Sequence, residues 1–439
     1  MNVKTVAKRR NRPQWVRLPE KIYYEKNALS YLTDETEHID RAMIVADPGM
    51  VKFGFVDKVY DELEARENPV KTSLYGTVHP DPTLGQTMEI ARQMEEFQPD
   101  TVIAIGGGSA MDAAKIARYI YEYSLEQEPG FLESYEKVSE LFTRLQQKFV
   151  DIRKRIVKFH HGTHTKLFCI PTTSGTGSEV TPYAVITDDN THVKYPLTDY
   201  EMTPQAIVDP EFVMTVPKRT VAWSGLDTLS HALESYVSVM ASDFTRPWSL
   251  QAIKLVFENL EKSYNYDPKN PTLEGETARE NMHYAATLGG MAFANAFLGI
   301  NHSLAHKTGG EFGLPHGLAI SIAMQHVIRF NGASGKVKRT PFPRYEVYRA
   351  QKDYADIARA LGLKGRTDAD LVEALCNKIE ELMKAVDVTP KLSANGVTKE
   401  AFDGALDKLC DLVYNDQCTT ANPRQPSLEE IRQLLIDQF

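Results

Sequence analysis

Short apolar runs alternate with amphipathic stretches over the first half of the chain, from about residue 22 to residue 209. The apolar runs are residues 42–46, 70–75, 101–105 and 166–170. Runs of this length between segments of helical period predict strands that alternate with helices, and hence an α/β domain with a mainly parallel sheet. A charged, helix-favouring stretch over residues 131–164 interrupts this alternation, and we interpret it as an insertion.

Long helical periodicities replace the strand signals after Pro210. They cover residues 221–239, 249–264, 276–297, 318–330, 354–361 and 369–386. The second half is therefore predicted to be a helical domain. We divide the chain into a basic tail or linker over residues 1–20, an α/β domain over residues 21–210 and an all-helical domain over residues 211–439.

The composition excludes several classes of partner. The chain has 439 residues, more than one hydrophobic core usually serves, which favours two domains. Lys and Arg number 50 against 59 Asp and Glu, a net charge of −9, so no nucleic-acid partner is expected. Four cysteines without a CxxC pair indicate neither a disulfide framework nor a zinc ribbon, and they fit a reducing compartment, the cytoplasm.

One stretch, from Asn281 to His306, contains no Asp, Glu, Lys or Arg. It is long enough to raise the question of a membrane span. However, it contains several Asn and His side chains that a span in lipid would have to bury. We therefore interpret it as helix buried inside the protein and expect no membrane partner.

Two glycine-containing segments follow predicted strands. The sequence GGGS (106–109) comes directly after the strand 101–105 and leads into a helix that carries Asp112. Backbone N–H groups at such a helix start can approach a pyrophosphate, although the spacing is not that of the GxGxxG fingerprint and a plain tight turn is the alternative. A second segment, 171–179, supplies hydroxyl groups after the strand 166–170. Both segments would open at the carboxyl edge of one parallel sheet, where ligands bind in such folds.

Asp47 closes the predicted strand 42–46. A carboxylate in this place can accept hydrogen bonds from an adenosine ribose and repel an added 2′-phosphate, which favours NAD over NADP. The sequence Asp47-Pro48-Gly49 is also a strong turn sequence, so the residues alone leave both roles open.

Residue types that bind metals are grouped in the helical half: Asp227, His231, His302, His306 and His316. Residues four apart share one helix face, so Asp227 and His231 can bind one ion. His302 and His306 form a second such pair, and either of them can bind the ion together with His316. A carboxylate with imidazoles suits Fe(II) or Zn(II) better than Mg(II) or Ca(II). Core or capping roles are the alternative, but a buried polar group without a partner costs about 1–3 kcal/mol.

Five motifs stand out along the chain: GGGSAMDAAK (106–115), PTTSGTGSEVT (171–181), GLDTLSHALESYVS (225–238), AFANAFLGINHSLAH (292–306) and GLPHG (313–317). Together they resemble the iron-containing, or group III, alcohol dehydrogenases. More narrowly, KYPLTDYEMTP (194–204), VMASD (239–243) and DQCTTANPR (416–424) resemble the alcohol dehydrogenase half of the bifunctional aldehyde–alcohol dehydrogenases of fermentation. The resemblance runs nearly end to end. It implies a dehydroquinate synthase-like architecture, in which an α/β dinucleotide-binding domain precedes an all-α metal-binding domain.

The resemblance implies a role for each candidate residue. The metal ligands that it implies are Asp227, His231, His302 and His316. The dinucleotide contacts that it implies are Asp47, Asp81, Gly107, Gly108, Ser109, Asp112, Thr172, Thr173, Thr176 and Lys194. His306 is then expected beside the nicotinamide, and Tyr183 and Phe293 match positions that line the alcohol pocket.

The implied reaction is the reversible NADH-dependent reduction of a short-chain aldehyde, acetaldehyde to ethanol, by a homo-oligomeric enzyme. The cofactors are NAD(H) and Fe(II), with Zn(II) as the alternative metal. The metal would act as a Lewis acid on the carbonyl oxygen and bring the pKa of a bound hydroxyl toward about 7. His306 would either relay the alcohol proton to solvent or only pack against the nicotinamide.

Two other functions stay open at this point. An NAD- and metal-dependent lyase of the dehydroquinate synthase type shares the two-domain plan. Its phosphate- and carboxylate-bearing substrate needs cations near the metal ligands, whereas the basic residues between 223 and 306 lie away from the ligand motifs. The chain could also act mainly as a filament-assembly module. The resemblance covers only the alcohol dehydrogenase half of the bifunctional enzymes. We therefore expect an aldehyde dehydrogenase domain as a fused or assembled partner.

Overall fold

The computed structural model describes residues 15–34, 38–153, 164–190, 194–335, 337–342 and 344–439. Contacts between residues divide this part of the chain into two compact units. One unit is Leu18–Thr215, and the other is Val216–Phe439 together with residues 15–17. No helix in the described ranges combines the length and the apolar character that a membrane crossing needs.

Among the residues described, the first unit has eight strands. They are β1 (Ile22–Tyr24), β2 (Arg41–Ala46), β3 (Lys71–Tyr75), β4 (Thr101–Gly106), β5 (Lys166–Pro171), β6 (Tyr183–Thr187), β7 (Lys194–Thr198) and β8 (Gln205–Val208). Six of them form a sheet in the order β1-β8-β5-β4-β2-β3, and every neighbouring pair is parallel. The other two, β6 and β7, form an antiparallel hairpin.

Helices of this unit connect the strands. They are α1 (Pro48–Lys52), α2 (Phe55–Glu64), α3 (Leu84–Phe97), α4 (Gly108–Ser124) and α5 (Tyr135–Arg153). Successive strand residues point to opposite faces, and in β2 Met43 and Val45 belong to one hydrophobic core while Ala42 and Ile44 belong to another. Both faces are therefore covered, as is usual for parallel sheets. The predicted α/β fold is confirmed, and the carboxyl ends of β2, β4 and β5 lie side by side.

The second unit is helical, as predicted. Its described helices are α6 (Lys218–Val237), α7 (Thr245–Asn265), α8 (Leu273–Ala296), α9 (Ile300–Phe312), α10 (His316–Gly332), α11 (Ala350–Ala360), α12 (Asp368–Ala385), α13 (Lys399–Tyr414) and α14 (Leu428–Asp437). One hydrophobic core joins them, and all nine except α8 contribute at least three of its buried side chains. α13 and α14 do not appear among the predicted helices, and α9 was predicted only as far as His306, the end of the uncharged stretch.

The uncharged stretch from Asn281 to His306 is mostly buried helix, as interpreted from the sequence, and it is divided between two helices. It contains the end of α8 and the start of α9, which are separated at residues 297–299. Phe297 has a φ of +63°, a left-handed conformation that a right-handed helix cannot include. The chain then starts a new helix after Gly299, with His302 in its first turn.

Residues 15–17 are held by the helical unit. Arg17 N donates a hydrogen bond to Asn295 Oδ1 at 2.8 Å, and Asn295 Nδ2 donates to Arg17 O at 2.9 Å. These bonds attach the chain to α8 just before the α/β unit begins. Residues 1–14 of the predicted basic tail lie outside the described residues.

Candidate active site

Four of the predicted metal ligands converge in the helical unit. Asp227 and His231 lie one turn apart on α6, His302 lies in the first turn of α9, and His316 begins α10. Asp227 Oδ1 is 3.6 Å from His231 Nε2, 3.6 Å from His302 Nε2 and 3.5 Å from His316 Nε2. The first three residues are almost fully buried, whereas 41% of the His316 side chain is exposed.

The spacing of these atoms fits a metal ion better than a hydrogen-bond network. Donor–acceptor distances in N–H···O bonds are about 2.7–3.2 Å, shorter than the separations found here. Ligand atoms of a tetrahedral site with bonds of about 2.1 Å lie about 3.4 Å apart, close to the three separations from Asp227 Oδ1. Asp227, His231 and His302 offer ligand atoms that all lie within 4.8 Å of one another, a set that does not include His316. Asp227 Oδ1 and His302 Nε2 are also buried without a hydrogen-bond partner in the described part of the chain. A carboxylate oxygen and an imidazole nitrogen that are both available in this way suit Fe(II) or Zn(II) as ligands.

Close packing of α10 against α6 brings His316 to this point. A Cβ atom on the next residue, Gly317, would lie 2.2 Å from the backbone oxygen of Trp223 on α6. The two backbones can approach this closely only because Gly317 has no side chain. Since Trp223 lies one turn before Asp227, the contact holds the start of α10 beside the ligand-bearing helix.

The charges of the cluster shift the pKa values of its members. Burial favours the neutral form of Asp227, but the imidazoles of His231, His316 and His302 outweigh burial and lower the pKa of Asp227. Burial also disfavours the charged form of His302, but the carboxylates of Glu234 and Asp227 raise its pKa to about 9. His302 must therefore release a proton when it binds a metal near neutral pH.

Glu234 is a residue of this site that the sequence analysis missed. It lies on α6 nearly one turn after His231, and only 4% of the residue is exposed. Its Oε2 atom is hydrogen-bonded to His302 Nδ1, and its Oε1 atom accepts a hydrogen bond from Asn301 N at 2.8 Å. Its spacing of seven residues from Asp227, which puts both on the same helix face, is the signal that could have identified it.

His306 lies next to the ligand set. Its ring stacks on His316 with centroids 5.4 Å apart, and 28% of its side chain is exposed. Its Nδ1 atom faces Asp416 Oδ2 at 3.9 Å, and Lys307 Nζ lies 2.8 Å from the same oxygen. Burial raises the pKa of Asp416, but His306 and Lys307 outweigh burial and lower it. His306 is thus held between a predicted ligand, His316, and a carboxylate that the sequence analysis did not assign.

The two predicted pocket residues lie in different units. Phe293 on α8 stacks on the imidazole of His231, with ring centroids 4.5 Å apart. Tyr183 begins β6, and its carbonyl oxygen accepts a hydrogen bond from the buried Lys115 ammonium at 2.8 Å. Phe293 is therefore beside the predicted metal ligand His231, and Tyr183 belongs to the hairpin of the α/β unit.

The predicted dinucleotide-binding segments after β4 and β5 lie against each other. A Cβ atom on Gly108 would be 2.9 Å from Thr176 Cγ2, and one on Gly107 would be 3.8 Å from the side chain of Thr173. Gly108 begins α4, a helix of 17 residues. The positive end of such a helix and its bare backbone N–H groups favour a phosphate.

Asp81, Ser109 and Lys194 lie together in the same unit. Asp81 N donates to Ser109 Oγ at 3.4 Å, and Lys194 Nζ forms an ion pair with Asp81 Oδ1 at 2.7 Å. Both charged side chains are about half exposed, so a ligand can reach them. Thr172 N donates to Gly106 O at 3.0 Å, which holds the segment after β5 against the end of β4.

Asp47 has one of the two roles that the sequence left open, because it caps the turn that follows β2. Its Oδ1 atom accepts hydrogen bonds from Gly49 N at 2.8 Å and Met50 N at 3.3 Å, and so caps α1. Its Oδ2 atom points toward the end of β4, 3.0 Å from where a Cβ atom on Gly106 would lie. The capping bonds use only Oδ1, and the contact of Asp47 with a ribose stays a prediction.

The carboxylate of Asp112 is engaged inside the α/β unit. Its Oδ1 atom accepts from Ser178 Oγ at 2.6 Å, and its Oδ2 atom accepts from Val185 N at 2.9 Å. The fully buried Lys115, one turn further along α4, donates to Ser178 O at 2.6 Å. Burial lowers the pKa of Lys115, and Asp112 opposes this shift. The two residues attach the segment after β5 to α4, while a direct contact of Asp112 with a dinucleotide stays a prediction.

Comparison with known proteins places the chain in a family. Residues 221–439 match the model of the Fe-containing alcohol dehydrogenase family, C-terminal, and residues 19–210 match that of the iron-containing alcohol dehydrogenases. A parallel α/β unit together with a helical unit that carries a carboxylate–imidazole cluster fits both the metal-dependent dehydrogenase and the lyase considered above. The chain belongs to the iron-containing, or group III, alcohol dehydrogenase family. This assignment favours the dehydrogenase over the lyase that the sequence left open.

Two similar proteins and one solved structure show how alike the chain is to individual members of the family. Aldehyde-alcohol dehydrogenase 2 of Entamoeba histolytica is 46% identical over 99% of this chain, which covers 48% of that protein. The NADPH-dependent butanol dehydrogenase of Clostridium saccharobutylicum is 38% identical, with 95% of this chain and 96% of that protein covered. The solved iron-containing alcohol dehydrogenase of Thermococcus thioreducens is 30% identical, with a TM-score of 0.77 over 97% of this chain and 99% of that one.

The chain spans about half the length of the bifunctional relatives that it matches. It is similar to the alcohol dehydrogenase portion of these bifunctional aldehyde–alcohol dehydrogenases. This confirms the narrower resemblance noted from the sequence.

Proposed function

We propose that this chain catalyses the reversible NADH-dependent reduction of short-chain aldehydes, with acetaldehyde to ethanol as its main reaction. One observation carries the proposal. Asp227 Oδ1 lies 3.5–3.6 Å from the Nε2 atoms of three histidines and has no hydrogen-bond partner among the described residues. The names of the relatives, which refer to aldehydes and alcohols, support the substrate class.

The ligands in this proposal are Asp227, His231, His302 and His316. They would hold one Fe(II) or Zn(II) ion, and the family assignment favours iron. A bound ion of this kind polarises the substrate's carbonyl oxygen as a Lewis acid. Phe293 packs on His231 and would line the apolar side of the substrate pocket.

His306 is the proposed proton-transfer residue. An imidazole suits proton transfer near neutral pH, and this one is partly exposed while it contacts the ligand His316. Asp416 faces its Nδ1 atom at 3.9 Å, so the ring can present Nε2 to an alcohol hydroxyl and pass the proton on to solvent.

The α/β unit would hold the dinucleotide. The backbone N–H groups of Gly107 and Gly108 would bind the pyrophosphate, and the hydroxyl groups of Thr172, Thr173 and Thr176 would lie nearby. Asp47 would bind the adenosine ribose and make NAD the preferred cofactor. We further propose a homo-oligomer in the cytoplasm, where its four free thiols stay reduced, that works with a fused or associated aldehyde dehydrogenase.

An anaerobic assay of NADH oxidation tests this function. Acetaldehyde is supplied to one metal-stripped sample, first without Fe(II) and then with it. We expect oxidation only after Fe(II) is added, with Zn(II) compared in a parallel sample. If the protein binds Fe(II) and oxidises no NADH with any short aldehyde, the proposal is wrong.

A further inference from the structure

We propose that Glu234 positions His302 as a metal ligand and determines which of its ring nitrogen atoms carries the proton. The inference rests on the proposed metal site, to which Glu234 contributes no ligand atom. Its Oε2 atom binds His302 Nδ1, whereas Nε2 on the other side of the ring faces Asp227 Oδ1 at 3.6 Å. The side chains of Glu234 and His302 are only 5% and 2% exposed, so water does not compete for this bond.

This hydrogen bond selects the tautomer that binds a metal. An ionised carboxylate only accepts hydrogen bonds, so His302 Nδ1 must carry a hydrogen. In the neutral ring Nε2 then has a free lone pair, and Nε2 is the orphaned atom at the convergence of the ligands. A histidine whose second N–H binds a carboxylate is also a better oriented and more basic ligand.

A second bond prevents the carboxylate from turning away. Glu234 Oε1 accepts from Asn301 N at 2.8 Å, in the first turn of α9. N–H groups in a first turn have no partner inside their own helix, so this bond also anchors the start of α9. Two N–H donors from consecutive residues, 301 and 302, thus occupy the two oxygen atoms of one carboxylate.

The structure leaves room for this carboxylate at Gly299. A Cβ atom there would lie 2.8 Å from Glu234 Oε1 and 2.9 Å from Asn422 Oδ1. The φ of Gly299 is −127°, which alanine adopts without strain. A Gly299→Ala variant would therefore push the carboxylate aside while all charges stay in place.

Zn(II) uptake by Glu234→Gln tests the proposal without an activity measurement. Glutamine has the same shape but only one acceptor oxygen for the two donors, so it cannot serve both Asn301 N and His302 Nδ1–H. Zn(II) affinity is measured by competition with a chromophoric chelator, at one pH for all variants. We expect the affinity of Glu234→Gln to fall by about 10- to 100-fold, and that of Gly299→Ala by about tenfold.

Ser230→Ala is the matched control. Ser230 is buried on α6 and its Oγ atom accepts from Asn301 Nδ2 at 2.8 Å, so it links the same two helices without contacting His302 Nδ1. We expect this variant to bind Zn(II) like the parent protein, and the melting temperatures of the metal-free forms report any general loss of packing.

The outcomes separate this inference from the proposed function. If the parent protein takes no Zn(II) from the chelator, the metal site itself is wrong. If the parent binds and Glu234→Gln binds equally well, or if Ser230→Ala loses as much affinity, only the role of Glu234 is overturned. Should Glu234→Gln fail to fold, Gly299→Ala decides: unchanged affinity refutes the role, and a loss supports it.

Discussion

Replacing Gly317 by alanine tests whether the close contact between α10 and α6 places His316. The added Cβ would lie 2.2 Å from Trp223 O and 2.7 Å from its carbonyl carbon, and contacts below 3.0 Å are essentially never found. The first residues of α10 must therefore move by about 1 Å, and such overpacking destabilises a fold by about 1–3 kcal/mol. Because a ligand must stay within about 0.5 Å of its productive position, we expect metal affinity to fall at least about tenfold.

Gly310→Ala provides the comparison for this variant. Gly310 lies on α9, and nothing lies within 4 Å of its would-be Cβ atom. Alanine in a helix interior is more stable than glycine by about 0.5–1 kcal/mol, so this variant should gain stability and keep its metal affinity. Calorimetry of the metal-free proteins and Zn(II) competition titrations supply both quantities. Parent-like affinity in Gly317→Ala, or equal losses in the two variants, would refute the reasoning.

Three further predictions concern the proton path and the α/β unit. His306→Ala should lower kcat about 100-fold and flatten its pH dependence, with Zn(II) affinity unchanged; an unaltered rate and pH profile would remove the relay role. Asp47→Ser should raise kcat/KM for NADPH relative to NADH by at least about tenfold, because a like charge near the 2′-phosphate disappears, and an unchanged ratio contradicts the ribose contact. Lys115→Met should destabilise the protein by about 3–5 kcal/mol and weaken NADH binding in fluorescence titrations, since Asp112 loses its buried partner. An unchanged melting temperature would show that Lys115 does not stabilise the fold.

Three of the four predicted strands, β2, β4 and β5, are buried almost throughout, whereas the fourth, β3, is a partly exposed edge strand. The apolar run at residues 101–105 became β4 almost without change, because parallel strands between two helical layers are continuously apolar. β1 and β8 have only three and four residues, too few to show a period. α13 was not predicted, although its helical spacing is visible in the sequence. Its Phe402, Leu409 and Val413 are buried on one face.

The candidate site was predictable in its residue types and not in its geometry. Spacing alone could not choose between His302 and His306, because both are compatible with one helix face. The interruption of the helix at Phe297 sets where α9 begins. As a result His302 faces Asp227, whereas His306 faces Asp416. Such a choice depends on tertiary contacts, which local periodicity does not contain.

Metal content of two variants tests the central claim most directly. The parent protein, His302→Ala and His306→Ala are loaded anaerobically with Fe(II), freed of excess metal, and analysed for bound iron per chain. The account predicts one tightly held ion in the parent and in His306→Ala, and loss of that ion from His302→Ala. Retention by His302→Ala together with loss from His306→Ala would contradict the proposed ligand set.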